Sequence, residues 1–155
     1  MSKRSNFNET NNSLNLFNKE GLDLIDIRVI EAMRKTGISF DGVAKGTRGD
    51  ITTYTTYVVS ANVLKLEVGT NGYHGGDGGH GGRTFFTLED EGGTCWTLMQ
   101  EDDGWNLKFL NIVLQGDCEL GTFISVLKLA AAILEAQSKA IKEMKKYLNR
   151  DTDED

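Results

Sequence analysis

From Leu120 to Leu148 an aliphatic side chain returns every seven residues, through Leu127, Leu134 and Ile141. Seven residues are close to two turns of an α-helix, so this spacing draws a stripe along one side of a long helix. Phe123, Ala130 and Met144 fill the companion register, with Gln137 as the polar exception. Val126, Ile133, Ala140 and Tyr147 form a parallel stripe beside them. The combined apolar face is wider than a two-stranded coiled-coil seam requires. One side of it is expected to cover the rest of the domain. The other, on Leu120, Leu127, Leu134, Ile141 and Leu148, is expected to meet a second copy of the chain. A monomer whose helix simply lies across a sheet is the alternative. Lys142, Lys145 and Lys146 suit the negative end of the helix dipole.

A second helix is expected between Lys19 and Lys35, where Leu22, Ile25, Val29 and Met33 fall near helical period and Gly37 suits a terminating position. The segment FDGVAKGTRGD reads as turns, Arg48-Gly49-Asp50 among them. Strand composition then begins, with β-branched and aromatic residues in 51–59 and strict alternation in 63–68. Strands over 83–89, 94–100 and 105–114 follow, joined by the short polar turns DEGG and EDDG. In the last of these the apolar parity switches after Phe109, which predicts a bulge there. The fold class is therefore α+β: an antiparallel sheet of about five strands with an N-terminal helix and a long C-terminal amphipathic helix. Residues 1–18, rich in Asn and Ser, read as a mobile arm, residues 19–150 as a single domain, and residues 151–155 as an acidic tail.

The formal charge of −6 argues against general nucleic-acid binding, which would need a basic face. No run approaches a membrane span, and nothing in Met1–Glu20 resembles a secretory leader, so the expected location is the cytoplasm. Cys95 and Cys118 lack metal-site spacing and are expected to be buried structural thiols in a reducing compartment.

The chain's two histidines both fall in YHGGDGGHGGR, residues 73–83, which holds six glycines. His74, Asp77, His80 and Arg83 are spaced by three. In a polyproline II ribbon, with about 9 Å per turn, all four would line one edge. So many glycines are costly to order, and the segment becomes a candidate site because a ligand or a contact must offset that cost. An anion-binding loop would use Gly75, Gly76, Gly78 and Gly79 as backbone donors, Arg83 as a phosphate partner, His74 and His80 as further donors, and Asp77 to orient one of them or to accept from a ribose. Tyr73, or Phe85 and Phe86, would stack on a base. Three other roles compete: a solvated hairpin connection, a metal site on His74, Asp77 and His80, and packing of the glycine segments between subunits. No activated nucleophile is evident, so no catalytic residue and no cofactor is assigned, and whether a metal binds is left open.

In layout the chain resembles the phage counter-defence proteins called sponges, and the stretch TNGYHGGDGGHGGRTFF is similar to a segment of small phage and prophage proteins. The resemblance implies a non-enzymatic, homo-oligomeric protein that sequesters a phosphate-bearing small molecule, a (cyclic) nucleotide immune signal, without cleaving it. In a phage setting its location would be the host cytoplasm. A metal-dependent phosphohydrolase using His74, Asp77 and His80, and a protein-inhibiting interaction module, are the alternatives.

Overall fold

The computed structural model describes residues 22–76, 80–102 and 107–150. The proposed arm, the acidic tail and Asp77, Gly78 and Gly79 of the glycine-rich run lie outside the described residues.

Helix α1 spans Leu24–Lys35. It starts where Asp23 and Asp26 cap each other: Asp26 N donates to Asp23 Oδ1 at 2.9 Å, and Asp23 N to Asp26 Oδ2 at 3.1 Å. It ends at Thr36, followed by Gly37 at φ +71°, in the left-handed region that closes a helix. Val29, Ile30 and Met33 fall on one face of the helix, and all three are buried.

Four strands follow as an antiparallel meander: β1 (Asp41–Arg48), β2 (Ile51–Val59), β3 (Val63–Thr70) and β4 (Thr84–Gly92). A separate hairpin holds β5 (Trp96–Asp102) and β6 (Leu107–Leu114), and α2 runs from Asp117 to Arg150. The α+β class stands, with one strand more than expected and the strands divided between two sheets. β1 occupies the segment read as turns. Its signal was masked because Gly42, at φ +66°, sits in a bulge that lets Asp41–Ala44 oppose Tyr57–Thr55. Gly49 and Asp50 do form the turn to β2.

β5 does not extend the meander as expected. Gly93, at φ +79°, turns the chain off the edge of β4. Buried Asn62 then holds it, donating to Thr94 Oγ1 at 3.0 Å and accepting from Thr122 of α2 at 2.6 Å. The irregularity expected near Phe109 is present: Glu101 pairs with Phe109 but Asp102 with Leu107, leaving one residue extra on β6.

The core lies between one sheet face and the two helices. Tyr54 and Val58 of β2 and Leu64, Leu66 and Val68 of β3 meet Val126, Leu129 and Ile133 of α2, with α1 packed alongside. On α2 the buried stripe is therefore Val126, Ile133 and Ala140. Leu120, Leu127 and Leu148 of the heptad stripe are exposed, while Leu134 and Ile141 are half-buried. A seven-residue repeat drifts about 20° per heptad on a straight helix, so one stripe cannot keep one environment. At about 1.5 Å per residue α2 also overshoots strands of seven to nine residues, which leaves Met144, Tyr147 and Leu148 beyond the sheet. Cys95 and Cys118, expected to be buried, are both exposed and unpaired; they sit at the base of the hairpin and in the first turn of α2.

One polar network crosses this core. Asp26 is fully buried; Tyr54 Oη donates to its Oδ1 at 2.7 Å and Lys45 Nζ to its Oδ2 at 2.9 Å. Burial first, and then the Asp26 carboxylate, push the Tyr54 phenol far up from its usual range, so it stays a donor. Replacing Tyr54 by Phe leaves the buried carboxylate one partner short. Urea unfolding should show a loss of about 1–3 kcal/mol with an unchanged slope. A midpoint equal to the parent's would mean that Asp26 is satisfied without the phenol.

Candidate functional site

The glycine-rich segment joins β3 to β4 and is rooted by an interlocked set of hydrogen bonds. Asn71 N donates to the Arg83 carbonyl at 3.1 Å, and Arg83 N returns a bond to Asn71 Oδ1 at 2.6 Å. Thr70 Oγ1 accepts from Gly72 N at 3.0 Å and from Thr84 Oγ1 at 3.1 Å, and donates to the Arg83 carbonyl. Beyond this root the chain is not a polyproline ribbon. Gly72 and Gly75 have φ of +83° and +74°, of opposite sign to that helix. The loop instead folds back on itself. A Cβ on Gly76 would lie 2.6 Å from the His80 carbonyl carbon, and one on Gly82 would overlap the Gly72 carbonyl oxygen. Two passes of backbone touch where no side chain fits, which is the physical use of the glycines here.

Gln137, the polar exception in the α2 stripe, holds this root from below. It is buried; its Oε1 accepts from Thr70 N at 2.9 Å and its Nε2 donates to the Thr52 carbonyl at 2.8 Å. The sequence marked it as an exception without revealing that role.

Between the loop and α2 lies a groove of about 730 Å³, within the range of small-molecule sites. The loop wall carries Tyr73, His74 and the backbones of Gly75 and Gly76. The helix wall carries Leu134, Glu135, Ser138, Lys139 and Lys142, one face of three turns. Neither lysine lies within ion-pair distance of a described carboxylate; the Lys139 charge acts at longer range on Glu143, which pairs with Arg28. His74 Nε2 lies 2.9 Å from the Asn71 carbonyl oxygen. Tyr73 is 87% exposed.

The residues expected to act together are thus distributed. Tyr73, His74, Gly75 and Gly76 line the groove. His80 is exposed beside Gly81, at the returning pass of the loop. Asp77, Gly78 and Gly79 lie outside the described residues. The Arg83 guanidinium turns away to pair with Asp50, whose carboxyl is held below its usual range by the Asn71 amide first and also by Arg83. Phe85 points to the opposite face of the sheet, under the Arg48 guanidinium at 4.9 Å, where Arg48 also grips Glu67 at 2.7 and 2.9 Å. The cations that line the groove are Lys139 and Lys142 and not Arg83, and nothing in their local sequence distinguishes them from other helix-surface lysines. Among the described residues no group of three His, Cys, Asp or Glu side chains is arranged to hold a metal, and the set His74, Asp77 and His80 includes a residue outside them.

No protein-family model matches this chain, and no significant match was found among curated proteins or solved structures.

The Gln137 amide ties α2 to the ends of β2 and β3 at the root of the loop. Gln137→Leu should leave Thr70 N and the Thr52 carbonyl unsatisfied and cost about 1–3 kcal/mol. Hydrogen exchange should rise by tenfold or more at Thr70 and Gly72 while Leu64–Leu66 stay protected. Equal exchange in both proteins would show that the root holds without the clamp.

Proposed function

We propose that this protein binds a phosphate-bearing small molecule, a nucleotide, in the groove between the glycine-rich loop and α2, and holds it without chemical change. The observation that carries this reading is the pair Lys139 and Lys142, about one turn apart, facing glycine backbone with no described carboxylate paired to either. Ammonium groups and exposed N–H groups in one concave place suit phosphate oxygens. The exposed ring of Tyr73 offers a surface on which a base can stack. The resemblance to phage sponges gives the role its direction: retention of a (cyclic) nucleotide immune signal needs tight binding and slow release, and no activated nucleophile.

Lys139→Ala and Lys142→Ala should each weaken nucleotide binding by about 1.5–3 kcal/mol in calorimetry, the range for a hydrogen bond to a charged group. An isotherm unchanged in both would remove the lysines from the site. Ligand recovered intact after heat denaturation, with divalent metal present, is the expected result. Accumulating product would favour the phosphohydrolase that uses His74, Asp77 and His80.

The same proposal includes a second copy, seated on the exposed apolar face of α2. Leu120, Ile124 and Leu127 are 50%, 42% and 45% exposed, so a charge placed there disturbs little within one copy. Leu127→Asp should halve the particle mass in light scattering while helical circular dichroism is retained. A parent protein that is monomeric at tens of micromolar would overturn the pairing.

A further inference from the structure

The groove contains groups that bare phosphate would not favour. Glu135 lines it from the same helix as the lysines. At 1.5 Å per residue its Cα lies about 6 Å along α2 from that of Lys139 and about 10 Å from that of Lys142. No described residue forms an ion pair or hydrogen bond with its carboxylate.

Apart from the exposed Tyr73, the hydroxyl and imidazole side chains of the groove have committed protons to the protein. Ser138 Oγ donates to the Leu134 carbonyl at 2.6 Å, and Thr84 Oγ1 to Thr70 Oγ1. His74 Nε2 faces the Asn71 carbonyl, which can only accept, so Nε2 carries a hydrogen and donates it there. The groove therefore offers donors at the two lysines, the loop backbone and the Tyr73 hydroxyl, and acceptors at Glu135 and Ser138.

We infer that the ligand is a nucleoside phosphate with free ribose hydroxyls, its phosphate on Lys139 and Lys142 and its hydroxyls donating to Glu135. This rests on the phosphate-binding reading above and adds what selects among phosphate compounds. A carboxylate repels a polyphosphate placed beside it, yet accepts from a vicinal diol in a charge-assisted bond. One residue thus acts with opposite sign on two ligand classes.

Calorimetry with the parent protein and Glu135→Ala separates the two effects, since alanine preserves the helix. The ligands are adenosine and guanosine 5′-monophosphates, their 2′,3′-dideoxy counterparts, and pyrophosphate. The parent should bind at least one ribonucleotide fivefold or more tightly than its dideoxy form. Glu135→Ala should lose that preference and bind pyrophosphate at least twofold more tightly than the parent. Equal binding of ribo and dideoxy forms by the parent overturns the inference and leaves phosphate binding standing. So does a substitution that weakens pyrophosphate as much as the ribonucleotide. If no phosphate compound binds the parent, the phosphate reading fails and this inference fails with it.

Discussion

Pairing of β2 with β3 ends at Thr53 opposite Gly69, and the next rung would join Thr52 to Thr70. The Gln137 amide occupies that rung instead, accepting from Thr70 N and donating to the Thr52 carbonyl. Both backbone groups would otherwise be buried without a partner, an arrangement that native proteins seldom tolerate. A side chain of fixed length inserted in a backbone ladder allows little sliding of α2 along the sheet. It thereby sets which residues of α2 stand opposite the glycine-rich loop, and the face from Leu134 to Lys142 is the consequence. Gly72 packs on Ile141, one turn further along, with the nearest side-chain carbon 3.3 Å from where a Cβ would sit.

Arg83 belongs to the same framework. Its backbone closes the loop root with Asn71, and its guanidinium binds Asp50 in the β1–β2 turn, so residues far apart in sequence pin one corner of the sheet. That division of work leaves loop and helix with different duties. In the proposed site the loop contributes shape, backbone donors and the Tyr73 ring. The helix contributes charge.

What the sequence disclosed follows from how far each signal reaches. Helix α2 was legible because a heptad repeat is local and repeated, and α1 because the Leu22–Met33 spacing and Gly37 agree. The bulge opposite Glu101 was legible as a parity switch. β1 was not, because Gly42, Gly46 and Gly49 carry a turn signature while only Val43 marks the buried face. The split of the strands into two sheets depends on Asn62 reaching Thr94 and Thr122, contacts across 32 and 60 residues that leave no local pattern. The candidate site was half legible. Its loop announced itself by composition, but the lysines that face it look like any solvated helix surface until α2 is placed. The regular spacing of His74, Asp77, His80 and Arg83 pointed to a ribbon that the positive φ of Gly72 and Gly75 forbids.

The start and the middle of α2 present different surfaces. The groove uses residues 134–142, whereas the exposed Leu120, Ile124 and Leu127 lie near its start, beside the base of the β5–β6 hairpin, where Glu119 meets Cys95 N. A two-stranded hairpin alone is marginally stable in water and needs a further strand or a helix against an apolar face. Trp96 at the hairpin base packs toward the core, but Leu98, Leu110 and Ile112 along the same face are 53%, 50% and 37% exposed. The hairpin and the start of α2 thus present the same demand for cover at neighbouring places, and one partner surface would satisfy both. A second copy seated there would leave the lysine face of α2 open, because contact and groove use separate turns of one helix. Pairing and ligand binding then share a rigid element without competing for its side chains.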